Sequence, residues 1–233
     1  MIDQEIESQD RIRFASIESL VPGARTDGLA LVRPGLYVGE SAYPEDTRDD
    51  PQPISVTILK RLTDNASDMS AYLHELSGYV RGKAVVDLGA GKTANGYRLA
   101  LLLGAKGYIA NEGTHFSELR DVLAAARLSN SRSLPACVVG EDMRKFMERF
   151  PDDSVAVFAF GIDGYILDNK LKIPPEGVHD LAKNISRSLA SEGAYIGSDT
   201  SLRVPDLHEI YRHNPGWSSG SYVIRTKKQP LKC

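Results

Sequence analysis

The chain has 233 residues, enough for one large domain or for one domain with an N-terminal extension. Its 42% hydrophobic and 25% charged residues are ordinary for a soluble globular protein, and a formal net charge of -3 offers no electrostatic footprint for nucleic acid or an anionic membrane. Cys137 and Cys233 stand far apart in no CxxC spacing, which argues against a cysteine zinc site or a disulfide framework. No eighteen apolar residues run together and the opening MIDQEIESQD holds no apolar stretch, so no membrane span is expected and the cytoplasm is the expected compartment.

Residues 1–53 carry VPG, RPG, YPEDTRDD and PQP, all turn or breaker signals. They are expected to form an irregular extension with a short helix near 11–20, either a mobile tail or an arm folded over the main domain. From 54 to 233 the pattern becomes regular and predicts one domain. Leu62, Met69, Leu73, Leu76 and Val80 fall near helical spacing, with Tyr72 and Tyr79 on the same side. A short apolar run at 84–88, ended by glycines, predicts a buried strand. A helix follows at 94–103 with Gly104 as its stop, then a second strand at 107–111. Thr114 opens a helix in which Phe116, Leu119, Leu123 and Ala126 recur at the helical period.

A third strand is predicted at 136–139, a short helix at 143–150 and a fourth strand at 154–160. Val178, Leu181, Ala182, Ile185 and Leu189 form an amphipathic helix, and Gly193 opens a fifth strand, AYIGS. A helix is expected around 205–212 and one last strand at 222–226, leaving a reduced antiparallel hairpin. Strands alternating with helices predict a doubly wound α/β domain, a mostly parallel sheet with helices on both faces.

The turn after the first of these strands, AVVDLGAGKTANG, admits three ligands. A phosphate loop needs G-x-x-x-x-G-K-[ST], but the position of its first glycine is Val86, inside the strand, so the loop is too short. A dinucleotide fingerprint fits the spacing, yet Asp87 at the strand tip would oppose a pyrophosphate on the following helix terminus. A donor with a cationic part would be attracted there by a few kcal/mol in a partly desolvated site. Glu112 ends the second strand in YIANEG, where a carboxylate with two acceptor oxygens suits a ribose diol. It would serve either nucleotide, and it also suits a helix start.

VVDLGAG resembles the first motif of the class I S-adenosylmethionine-dependent methyltransferases, [DE]-x-G-x-G-x-G. YIANEG, VVGEDMRKFMERFPDDSVAVFAF and HDLAKNISRSLASEGAYIGSDT follow in the family's order, over about residues 54–200. The resemblance implies S-adenosylmethionine as cofactor. It sets Asp87, Gly89, Ala90, Gly91 and Thr93 around the methionine end, and Glu112 and Gly113 at the ribose. It sets Glu141, Asp142 and Met143 at the adenine, with Phe160 and Gly161 beside the reacting centre. Thr93 stands where the family has its third glycine, and Ala156 where it often has an acid. Asp142 is also a natural cap for the helix after it.

Methyl transfer is a displacement for which the protein aligns the acceptor, with a base needed only if a proton must leave. A small-molecule acceptor is expected beyond the fourth strand, where Asp163 is the candidate base; Asp199 is a weaker one. Tyr37 and Tyr43 would close over the site if the arm folds back, or pack the arm onto the domain. HEIYRH at 208–213 resembles a zinc motif but is one residue too long, and no metal site is expected. Two other readings stay open. One is a nicotinamide-dependent oxidoreductase, opposed by Asp87. The other is an inactive methyltransferase-like binding module.

Overall fold

The computed structural model describes residues 12–44, 70–126, 133–160, 162, 174–198, 202–213 and 222–227. Among them the strands are β1 (Leu29–Arg33), β2 (Leu36–Gly39), β3 (Ala84–Leu88), β4 (Gly107–Asn111), β5 (Ala136–Gly140), β6 (Val155–Ala159), β7 (Ala194–Ser198), β8 (His208–His213) and β9 (Tyr222–Thr226). The helices are α1 (Ile17–Leu20), α2 (Ser70–Val80), α3 (Asn95–Leu102), α4 (Phe116–Ala125), α5 (Met143–Glu148) and α6 (Pro175–Ser188).

All nine strands join one sheet in the order β1-β2-β5-β4-β3-β6-β7-β9-β8. From β2 to β7 every pairing is parallel; β1 and the β8–β9 pair are antiparallel additions at the two ends. After β1 and β2 at one edge, the chain enters the middle at β3, runs outward through β4 and β5, then crosses to β6 and β7. That reversal opens a crevice at the carboxyl ends of the central strands, where ligands of doubly wound sheets bind. This is the doubly wound α/β architecture the alternating pattern predicts.

The central strands are apolar but for Asp87 and Asn111 because both faces are covered: every residue of β3, β4, β5 and β6 is buried. Alternation along each strand sorts them into two cores. Val85, Tyr108, Ala110, Val138 and Phe158 face α2, α3 and α4 through Leu76, Leu99 and Leu119. Ala84, Val86, Leu88, Ile109, Cys137 and Val157 face α1, α5 and α6 through Ile17, Phe146 and Ile185.

Two regions differ from expectation. The segment before residue 45 is not irregular in its described part. Phe14 bridges Ala136, α1 packs on the sheet, and β1 and β2 form a hairpin that extends the sheet beside β5. The breaker Pro34-Gly35 is the hairpin turn itself. The arm is tied down by Arg120, whose guanidinium lies 4.4 Å from the Phe14 ring and donates to the Pro34 carbonyl at 3.1 Å, and by an Arg33–Asp121 pair at 2.9 Å. At the other end, residues 208–213 are a strand and not a helix, so the antiparallel hairpin has both strands. Ile210 packs on the first core, and the β-branched Ile210 next to the aromatic Tyr211 suits a strand better than a helix. Among the described residues no helix is long and apolar enough to cross a membrane.

Candidate functional site

The turn after β3 carries Gly89 at φ 62° and Gly91 at φ 69°, a left-handed backbone that favours glycine. It brings the chain across to β4, where the Ala90 N–H donates to the Asn111 carbonyl at 3.1 Å. Glu112 then reaches back. Its Oε2 accepts the Gly91 N–H at 2.8 Å and its Oε1 the Thr114 N–H at 3.1 Å. The carboxylate thus bridges the glycine turn and the start of the next loop. Thr93, in the third glycine position, accepts weakly from the Asn95 N–H at 3.4 Å and helps start α3.

Asp87 sits one strand residue before Leu88 and points into the α2–α3–α4 core, on the same side as Val85 and Tyr108. Only 1% of it is exposed, and the Tyr108 hydroxyl donates to Oδ2 at 2.6 Å. Gly96 of α3 makes room for it, since a Cβ there would overlap the carboxylate. Burial pushes the Asp87 carboxyl up to about 7, the Tyr108 hydrogen bond opposing and the nearby charge of Glu112 adding. The same burial and the Asp87 charge raise Tyr108 well above its ordinary value.

At the end of β5, Glu141 and Asp142 each meet an arginine. Arg149 grips Glu141 with Nε and Nη2, both at 2.6 Å, in a bidentate pair whose side chains are 11% and 3% exposed. Asp142 caps α5 by accepting the Arg144 N–H at 2.8 Å, and also takes Arg144 Nε at 2.9 Å and Nη2 at 2.5 Å. These bonds outweigh its burial and hold the Asp142 carboxyl below the usual range. Asn111 fastens the strand tips by donating to the Val139 and Glu141 carbonyls.

Between these tips lies a cleft enclosing about 370 Å³ with its open mouth, lined by Tyr43, Gly89, Asn111, Glu112, Gly113, Thr114, Glu141 and Met143. Six of the residues singled out from sequence therefore share one cleft: Tyr43, Gly89, Glu112, Gly113, Glu141 and Met143. Asp87, Ala90, Gly91, Thr93 and Asp142 do not line it. Phe160, buried and edge-on to Phe158 at 5.7 Å, follows β6. Gly161, Asp163 and Asp199 lie outside the described residues. Asn111 and Thr114 are additions that sequence reasoning missed, although both flank the strand-end acid. Tyr43 reaches the cleft from the arm.

The charge at the site is negative and uneven. Glu141 and Asp142 are neutralised by their arginines, whereas Asp87 and Glu112 have no cationic partner among the described residues. No family model and no curated protein matches this chain. Among solved structures it is similar in fold to yhhF, an Escherichia coli protein assigned as a methyltransferase, at 16% identity over 79% of this chain and 92% of that one, with a TM-score of 0.49. A TehB-like SAM-dependent methyltransferase from Corynebacterium glutamicum aligns at 14% identity over 74% of this chain and 100% of that one, with a TM-score of 0.45. A methyltransferase from Geobacter sulfurreducens aligns at 11% identity over 77% and 91%, with a TM-score of 0.46. Likenesses this distant carry no argument about what this chain does.

Proposed function

We propose that this protein is a methyltransferase that takes its methyl group from S-adenosylmethionine and passes it to a small-molecule acceptor. One observation carries the choice of ligand: the Glu112 carboxylate is seated on the Gly91 N–H, the amide a dinucleotide would need for its pyrophosphate. A phosphate at that turn would meet a like charge at hydrogen-bond distance, with buried Asp87 behind it. A cationic nucleoside donor would meet attraction from both. This arrangement counts against a nicotinamide cofactor, which also needs the turn for its phosphates.

The residues present suit such a donor. Glu112 Oε2 holds the Gly91 N–H alone and has room for one ribose hydroxyl, while Oε1 takes the Thr114 N–H at 3.1 Å and, at 3.4 Å, the Thr114 hydroxyl, which the second ribose hydroxyl would replace. Met143 and Gly113 offer an apolar slot for a purine at the far end of the cleft. When bound, the donor supplies a methyl group on a sulfonium, activated for displacement. The chain would orient the acceptor beyond β6, near Phe160, with Asp163 as the candidate base.

Calorimetric titration with S-adenosylmethionine and with S-adenosylhomocysteine tests this reading, and absence of heat from both would overturn it. Glu112→Ala removes two charge-assisted hydrogen bonds to ribose. Donor affinity is expected to fall by about 100-fold, as the loss of such bonds implies. A variant that binds as the wild type does would remove Glu112 from the site.

A further inference from the structure

The cleft is completed by a residue from outside its central strands. Tyr43 follows β2 on the arm, and its ring packs against Gly113, where a Cβ would stand 3.3 Å from Cδ2. Its hydroxyl donates to Asp142 Oδ2 at 2.8 Å. The family resemblance assigns Asp142 to the purine amino group, yet that carboxylate already holds four donors. The Arg144 N–H and Nε bind Oδ1 at 2.8 and 2.9 Å, while Nη2 and the Tyr43 hydroxyl bind Oδ2 at 2.5 and 2.8 Å. A carboxylate offers about four lone-pair sites, so Asp142 has none left for a purine.

The Tyr43 oxygen is in the opposite condition. Its proton points to Asp142 and the Arg144 guanidinium lies against the oxygen, which leaves one lone pair to accept, and donation to a carboxylate strengthens it. Burial first, and then the Asp142 bond and charge, raise the Tyr43 phenol above its ordinary value, so it stays protonated in this role. Resting on the donor reading above, we infer that the Tyr43 hydroxyl, brought in by the N-terminal arm, accepts the donor's purine amino hydrogen, with Asp142 and Arg144 as positioning residues behind it. The arm then sets base specificity: a 6-amino purine satisfies that oxygen, and a 6-oxo purine presents a second acceptor to it.

The test is calorimetric, on the full chain, with S-adenosylhomocysteine and S-inosylhomocysteine. The wild type is expected to prefer the adenosyl ligand by tenfold or more, the usual worth of one hydrogen bond lost and one acceptor opposed. Tyr43→Phe keeps the ring and its Gly113 contact. It should lose about tenfold for the adenosyl ligand and little for the inosyl one, so the preference collapses. An unchanged preference in the variant overturns the inference alone. So does tighter adenosyl binding, which would make Tyr43 a plug that the purine displaces. A wild type that binds neither ligand overturns the donor reading and this inference together. The N6,N6-dimethyl analogue of S-adenosylhomocysteine gives a check without any variant, because it has no amino hydrogen. Binding as tight as the parent ligand's would likewise sink the role assigned to Tyr43.

Discussion

Replacing Arg149 with methionine is expected to destabilise the protein by about 3–5 kcal/mol, the cost of stripping one partner from a buried ion pair. Glu141 is 3% exposed in its side chain and takes both oxygens' worth of bonding from Arg149. Without the guanidinium its charge would be left in a low-dielectric wall. Arg149 also donates from Nη1 to the Asp27 carbonyl at 2.7 Å and to the Arg25 carbonyl at 3.3 Å. The same side chain therefore fastens the arm to the end of α5, and the Glu141 carboxylate lies against Gly39 of β2. Urea denaturation should show the loss, and limited proteolysis should show earlier cleavage within the arm. The double variant Arg149→Met/Glu141→Leu should recover a large part of the stability, since no lone charge remains buried. A loss below about 1 kcal/mol for the single variant would place the pair in the class of solvated surface bridges.

This clasp also marks where sequence reasoning reaches its limit. The strand-turn-helix at Asp87–Gly91, the acid at the end of β4 and the order of the parallel strands were all legible, because each is written in a local pattern: an apolar run, a glycine turn, an acid at a fixed place after it. The arm is different. LALVR and LYVG are short, and β2 owes its place to β5, about a hundred residues further on, so nothing within the arm announces the pairing. Its prolines and glycines read as breakers when one of them was a hairpin turn. HEIYRH likewise owes its strand to pairing with β9, since Ile210 and Tyr211 stand side by side and give neither a period of two nor a helical one. Glu141 and Asp142 were legible as a pair at a strand end. Their arginine partners were not, because only α5 brings Arg144 and Arg149 back onto them. Tyr43 was visible as an aromatic on a segment able to fold back, and its contact with Asp142 depends on that same long-range pairing.

Asp87→Asn is expected to stabilise the ligand-free protein at and above neutral pH while weakening its hold on the donor. Unfolded, the Asp87 carboxyl titrates near its ordinary 3.8; folded, burial carries it to about 7. A folded value above the unfolded one supports the fold fully below pH 4, and that support is lost as pH rises through 7. At about 1.4 kcal/mol per pH unit, the wild type gives up on the order of 4 kcal/mol across that window, and the neutral asparagine gives up none of it. The stability of the variant minus that of the wild type should therefore climb from pH 4 and level off above 7. A difference that stays flat would mean the carboxylate is not desolvated in the folded chain. Donor binding runs the other way. A cation near the strand tip favours the ionised carboxylate, so wild-type affinity should rise from pH 6 to 8, with a proton released on binding below 7 and detected as heat that depends on the buffer. In the asparagine variant both the rise and the released proton should disappear, and affinity should sit below the wild-type value at pH 8. The trade links the two halves of the molecule's design: a charge that the empty fold holds at a cost in stability is offset only when a positive ligand arrives beside it.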